Sequence, residues 1–65
     1  MRINTKKIQT LMHEQHLLPE ELAKYAALPY NTVAQVATGG IEYMEEQFGT
    51  RLAYALGVEI SQITR

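Results

Sequence analysis

Apolar residues recur at the three- and four-residue spacing of an amphipathic helix soon after the start of the chain. Asn4 or Thr5 offers a side-chain oxygen that can cap such a helix, and we expect the helix to end near His16. The face toward water would carry Lys6, Lys7, Gln9 and His13, and the buried stripe would consist of Ile8, Leu11 and Met12.

A proline followed by two acidic residues marks the start of a second helix. Pro19 suits a first-turn position, where its missing N–H costs nothing, and Glu20 and Glu21 favour the positive end of the helix dipole. The pattern predicts a helix over about residues 19–26. Leu18 would occupy the cap position, and because leucine offers no side-chain acceptor, this helix lacks a stabilisation typically worth about 1 kcal/mol.

The pair Leu28-Pro29 predicts a break and then a third helix. The residue before a proline is biased out of the α region, and Pro29 can itself open a helix, which we place at about residues 30–38. Gly39 is a suitable C-terminal stop because glycine tolerates the left-handed conformation. The connection between helices two and three is short enough to set them at a steep angle.

The last third of the chain predicts a loop, a fourth helix and a final turn. Residues 41–49 form an irregular acidic stretch that enters a helix near Glu45 or Glu46, and Gly57 would end that helix. Gly49 inside it costs about 1 kcal/mol relative to alanine. Phe48, Leu52 and Leu56 would share its inner face beside Ala53 and Ala55, and Ile60 and Ile63 of a last short helix at 60–64 would pack back on the core.

Length and composition predict one small soluble domain over residues 1–65 in a reducing, cytoplasmic setting. A chain of 65 residues without cysteine has neither a disulfide nor a thiolate metal site to stabilise it. The chain holds no apolar run of the roughly 20 residues that cross a bilayer, and its start lacks the apolar segment of a secretory signal. We therefore expect no membrane association.

Charge is slightly negative and unevenly placed. The chain has six basic and seven acidic residues. Four of the acidic residues and only two basic ones, Arg51 and Arg65, fall in residues 41–65. The composition therefore shows no basic footprint of the kind that marks many DNA-binding proteins.

The predicted helices and their spacing resemble the lambda-repressor-like helix-turn-helix family, the Cro/CI or XRE class of bacterial and phage transcription regulators. The resemblance implies an all-α, five-helix domain with a central helix-turn-helix over residues 22–39. It rests on Glu21-Leu22-Ala23, Ala26, Leu28, Thr32-Val33, Val36 and Gly39, and downstream on Leu52-Ala53 and Ala55-Leu56-Gly57-Val58. Most of these residues also have a structural reason, because small or apolar side chains must fill the space where the helices cross.

The resemblance places the recognition surface on the exposed N-terminal part of helix three. By position this surface falls on Pro29, Tyr30, Asn31, Ala34 and Gln35. Asparagine and glutamine amides can bond the N6 and N7 edge of adenine, tyrosine can reach a phosphate, and alanine can touch a thymine methyl. We expect Tyr30, Asn31, Ala34 and Gln35 to contact bases, although solvated helix residues of no function would look the same.

The function that follows from the resemblance is sequence-specific binding of double-stranded DNA. It implies a small transcription regulator, such as a Cro-like repressor of phage or mobile-element type, acting by promoter occlusion. A symmetric homodimer would place two recognition helices about 34 Å apart on a pseudo-palindromic site. Phosphate contacts would come from Lys6, Lys7, Thr32, Thr38 and the backbone of Gly40.

The chain departs from the family pattern in four respects, at seven positions. Pro19 stands where a polar side chain commonly contacts DNA, and Glu42, Glu45 and Glu46 follow helix three where basic residues are typical. Met12 and Ala37 replace an arginine and a glutamate that often pair, a double change that can be neutral or stabilising. Ala27 occupies the corner where glycine is common, so a positive φ there would cost about 1 kcal/mol.

These departures support an alternative function of a different class. The competing hypothesis is a protein-interaction module that kept the helix-turn-helix fold and lost DNA binding, such as an antagonist of another repressor. Its acidic segment 42–46, or helix three, would contact the protein partner.

An apolar group without an obvious place follows helix three. A short segment needs fewer apolar residues than this one has to cover the core. The group consists of Ile41, Tyr43, Met44, Phe48 and Tyr54. The spacing of Phe48 predicts a core position. Tyr43, Met44 and Tyr54 could instead cover the edge of the core or form a dimer contact.

The sequence offers no credible catalytic or metal-binding set. His13, Glu14 and His16 are one residue short of the spacing that places two histidines on one helical face beside a catalytic glutamate. The chain has no cysteine or aspartate, and its one serine, Ser61, has no triad partners. We therefore expect neither enzymatic activity nor a cofactor.

Overall fold

A computed structural model describes all 65 residues, and its regular elements are all helices, as predicted. The second and third helices have their predicted bounds, the fourth starts at Glu46, and the first ends two residues before His16. None of the helices is long and apolar enough to span a bilayer. The elements are α1 (Thr5–Glu14), α2 (Pro19–Ala26), α3 (Tyr30–Thr38), α4 (Glu46–Leu56) and, in the place of the predicted fifth helix, a single 3₁₀ turn (Ile60–Gln62).

The first two helices satisfy their free N-terminal amides in different ways. The side chain of Asn4 accepts a hydrogen bond from the backbone N–H of Lys7 at 3.1 Å, which confirms Asn4 as the cap of α1. At α2 the Glu21 carboxylate reaches back and accepts from the backbone N–H of Leu18 at 2.9 Å. Although Leu18 has no acceptor of its own, Glu21 therefore ties the chain entry to the first turn of α2.

All four α-helices end with the same backbone arrangement. A residue with a positive φ follows each helix: Ala27 (56°), Gly39 (79°) and Gly57 (73°) come directly after α2, α3 and α4, and His16 (54°) is the second residue after α1. The next N–H then donates to a carbonyl five residues back, for example Leu28 to Ala23 at 3.0 Å. The two glycines were predicted to end their helices and Ala27 was identified as a possible site of strain, whereas His16 carried no sequence signal for this conformation.

The core lies where the four helices meet. The α2 and α3 pair packs tightly, α4 covers α2, and α1 covers α3. The apolar stripe predicted for α1 is buried, and Phe48 is only partly buried at the edge of the core. The buried side chains are Ile3, Ile8, Leu11, Met12, Leu22, Ala23, Ala26, Leu28, Val33, Val36, Met44, Leu52, Ala53, Leu56 and Ile63.

A polar contact joins α1 to the end of α3. Gln9, predicted to face water, is half-buried, and its side-chain Nε2 donates to the backbone oxygen of Ala37 at 2.6 Å. Met12, 5% exposed, packs in the core beside this contact rather than forming a charged link. A single amide therefore connects the two helices that the resemblance would connect by an ion pair.

The first three residues are the part of the fold that the hydrophobic pattern missed. Ile3 is 1% exposed, its N–H donates to the oxygen of Glu42 at 2.7 Å, and it forms an isolated β-bridge with Thr64. The N–H of Met44 donates to the oxygen of Met1 at 2.9 Å. The start of the chain thus runs between the segment after α3 and the C-terminal residues, and it fixes both.

The glycine inside α4 has a packing reason. Gly49 is buried, and a Cβ atom at this position would overlap the end of the Met1 side chain. The helix-propensity cost of about 1 kcal/mol is therefore accompanied by close packing of the first residue against α4.

Candidate nucleic-acid interface

The outer face of α3 presents polar side chains to solvent. Val33 and Val36 are fully buried on its inner side, so the residues about half a turn away point outward. Tyr30 is 56% exposed, and Asn31 and Gln35 are also exposed. Asn31 and Gln35 are four residues apart and are therefore neighbours on one face.

The two amides of this face are free to bind a partner. Neither Asn31 nor Gln35 takes part in a side-chain hydrogen bond within the chain. Ala34 is half-buried between this face and the core. The arrangement offers two adjacent amides, each with donors and an acceptor, beside an aromatic ring and a methyl group.

Two of the predicted phosphate donors are already used by the fold. The Thr38 hydroxyl donates to the backbone oxygens of Ala34 at 3.1 Å and Gln35 at 3.3 Å. The N–H of Gly40 donates to the oxygen of Gln35 at 2.7 Å. Both groups help to close the C-terminal end of α3, and their contact with phosphate stays a prediction.

The structure separates the two lysines predicted to contact phosphate. Lys6 lies one turn before Gln9 on α1, and Gln9 contacts Ala37 near the C-terminal end of α3. Residues three apart share a helical face, so Lys6 lies toward that end of α3, whereas Lys7 projects from a different face. Both side chains are exposed, and Thr32 is half-buried at the other edge of the surface.

A further cation lies near the N-terminal end of α3. The guanidinium Nη1 of Arg51, on α4, is 3.4 Å from the backbone oxygen of Ala27, at the corner between α2 and α3. Its Cζ is 6.0 Å from the centroid of the Phe48 ring. Because 24 residues separate Arg51 from Ala27 in the chain, the sequence carried no local signal for this placement.

An open groove with a volume of about 530 Å³ runs along the edge of α3. Glu45 and Gln35 both line the groove, so the acidic segment lies beside the predicted recognition surface. Its carboxylate accepts a hydrogen bond from the Gln47 amide at 2.9 Å. The groove is lined by Met1, Thr32, Gln35, Ile41, Tyr43, Met44, Glu45 and Phe48.

The residues predicted as a dimer contact divide into two groups. Tyr43 is 67% exposed and Tyr54 is 86% exposed. Met44 is only 8% exposed and belongs to the core, because its backbone pairs with Met1 and turns its side chain inward. Of the two alternatives, Met44 follows the one in which it covers the core, whereas the two tyrosines are exposed and their dimer contact stays a prediction.

The histidines of α1 do not assemble a metal site. His13, Glu14 and His16 are all exposed at the end of α1. No group of three or more histidine, cysteine, aspartate or glutamate side chains has an arrangement that could hold a metal ion.

Comparison with known proteins gives a match in structure. No protein-family model and no curated protein sequence matches the chain. Three solved structures match with a TM-score of 0.81 and 28% sequence identity: a point mutant of hydroxyethylphosphonate dioxygenase, native PhpD with cadmium atoms, and PhpD with cadmium and hydroethylphosphonate. The match covers 100% of this chain but only 14% of each of theirs, so the fold seen here is a small segment of those proteins.

Proposed function

We propose that this chain is a small, sequence-specific regulator that binds double-stranded DNA through a lambda-repressor-like helix-turn-helix formed by α2 and α3. The observation that carries the proposal is the outer face of α3, where the Asn31 and Gln35 amides are adjacent, exposed and without partners in the chain. These amides make no hydrogen bond that stabilises the fold. In the major groove they would match the donor and acceptor edge of adenine.

The dimensions of α3 suit the proposed role. Its nine residues extend about 13 Å at 1.5 Å per residue, comparable with the roughly 12 Å width of the major groove. Asn31 and Gln35 would each bond one base edge, Ala34 would contact a thymine methyl, and Tyr30 would reach a base or a phosphate at the groove wall. Pro29 would begin the helix without an N–H that needs a partner.

The electrostatics of the surface predict weak binding by a single copy. Glu42, Glu45 and Glu46 are exposed in the segment beside α3, and carboxylates near phosphates repel. A homodimer that uses the exposed Tyr43 and Tyr54 would present two α3 helices about 34 Å apart and would bind far more tightly than either half. Such a dimer bound over a promoter would act as a repressor by occlusion.

Fluorescence anisotropy with duplexes selected from a random pool tests the proposal. We expect Asn31→Ala or Gln35→Ala to remove about 1–3 kcal/mol of discrimination at one base position, because the amide that reads that base is lost. Gln62→Ala is the control: it removes an exposed amide far along the chain from α3, together with its bond from the Glu59 N–H, and should leave the base preference unchanged. Wild-type affinity at low salt no better than that of an inert acidic protein would rule out DNA binding.

The exposed acidic segment beside α3 favours a second candidate function. In the dioxygenase structures a segment with this fold is 14% of a larger chain, so the fold also exists as a part of an enzyme. A role as a protein-interaction module would use the acidic segment 42–46 and the adjoining groove against a partner protein. This candidate predicts no measurable binding of any duplex at low salt, and the same anisotropy experiment therefore separates the two.

A further inference from the structure

The position of Arg51 suggests a role that neither the sequence pattern nor the family resemblance assigns. We propose that Arg51 is a phosphate-binding residue that anchors the DNA backbone at the corner between α2 and α3. The inference rests on the proposed function and names one of its contacts. A guanidinium has five N–H donors, and the single contact to the Ala27 oxygen at 3.4 Å leaves the others for a phosphate.

The contact with Ala27 places the charge at the useful end of α3. Ala27 precedes Tyr30, the first residue of α3, by three positions. The guanidinium therefore lies close to the N-terminal end of the helix, where Tyr30 and Asn31 are exposed. Lys6, by contrast, shares a face of α1 with Gln9, which contacts Ala37 near the C-terminal end of α3.

Two contacts of the Arg51 side chain define its position. Its Nη1 is 3.4 Å from the Ala27 oxygen, and its Cζ is 6.0 Å from the centroid of the Phe48 ring. Phe48 and Glu45 both line the groove beside α3, so Arg51 adjoins the groove that the acidic segment also lines. A cation at this place offsets part of the repulsion between that segment and a phosphate.

The dependence of duplex affinity on salt concentration tests the inference. For Arg51→Gln we expect the slope of log affinity against log salt to become shallower by about 0.9, the value for one phosphate contact on duplex DNA. Affinity at low salt should fall about two- to fivefold on every sequence, because a phosphate contact carries no base preference. Arg51→Lys keeps the charge and should retain the wild-type slope.

Arg65→Gln is the matched control, because it removes one exposed arginine elsewhere in the chain and should leave the slope unchanged. Thermal unfolding of each variant shows whether the substitution weakens the fold, an effect that would lower affinity without altering the slope. A slope for Arg51→Gln equal to that of Arg65→Gln overturns the inference while leaving the proposed function intact. Failure of the wild-type chain to bind duplex DNA overturns both.

Discussion

At the residue scale, two helix ends use side chains where glycine is the usual choice. His16 and Ala27 have φ values of 54° and 56°, in the left-handed region that costs a residue with a Cβ roughly 1–2 kcal/mol. The hydrogen bonds at these ends are the same as those at Gly39 and Gly57, so the fold holds both residues in place against that cost. A substitution that relieves the strain at either position should therefore raise the free energy of unfolding.

We expect Ala27→Gly to raise the free energy of unfolding by about 0.5–1 kcal/mol, because glycine adopts the positive φ without strain while adding some entropy to the unfolded chain. Urea unfolding followed by circular dichroism measures the change. Ala37→Gly, a substitution within α3, is the control and should lower stability by about 1 kcal/mol. A lower stability for Ala27→Gly would show that the corner depends on the alanine methyl group.

At the element scale, the outer face of α3 and the segment after it differ in how they would interact with DNA under the proposed function. The outer face of α3 suits the edges of bases, whereas residues 42–46 carry three exposed carboxylates next to it. Exposed charges act over about one Debye length, roughly 10 Å at 0.1 M salt, so the segment influences any phosphate near α3. Under the proposed function, this opposition would set the affinity for DNA as much as the amides do.

Replacing Glu42, Glu45 and Glu46 together with glutamine should raise duplex affinity about tenfold at low salt, since each exposed like-charge contact removed contributes a fraction of a kcal/mol. The gain should shrink as ionic strength rises, which anisotropy at several salt concentrations would show. The control replaces three other exposed acids, Glu14, Glu20 and Glu59. Equal gains from both triple variants would mean that net charge, not the position of the segment, controls affinity.

At the scale of the whole molecule, residues 1–3 connect parts of the chain that are far apart in sequence. The N–H of Asn4 donates to Ile63 at 2.8 Å, the N–H of Arg65 donates to Arg2 at 3.1 Å, and Ile3 pairs with Glu42. These contacts close the core on the side that the helices leave open. They also fix the start of the segment that carries the acidic residues.

Ile3→Ala should lower the free energy of unfolding by about 2–4 kcal/mol, because it removes a side chain that is 1% exposed and leaves a cavity. In so small a domain this is a large part of the total stability. Amide hydrogen exchange should show the largest acceleration at Asn4 and Met44, whose N–H groups bond across this junction. Tyr54→Ala, at a side chain 86% exposed, should change stability by less than 0.5 kcal/mol.

The elements whose signals are local were predictable from the sequence. The bounds of α2 and α3 follow from Pro19, Pro29 and Gly39, each of which acts on its own backbone within one turn. The candidate base readers could be placed on the outer face of α3 because the buried valines fix which side of a helix points inward. Whether those side chains read bases stays a prediction.

Contacts between distant residues were not predictable, because no periodicity records them. The pairing of Ile3 with the segment after α3, the burial of Met44 and the placement of Arg51 at the Ala27 oxygen each join residues at least 24 positions apart in the sequence. The use of the Thr38 hydroxyl and the Gly40 N–H within the fold likewise depends on how α3 ends.

The sequence by itself determined the helices, their inner faces and the polar character of the outer face of α3, because helix formation and burial respond to neighbours three or four positions away. Only the tertiary structure decided what surrounds that face: a carboxylate in the groove beside Gln35, a cation at the corner before Tyr30, and phosphate donors already used by the backbone. Electrostatic and hydrogen-bonding partners depend on distances in space, and for residues far apart in the sequence those distances are set only when the chain folds.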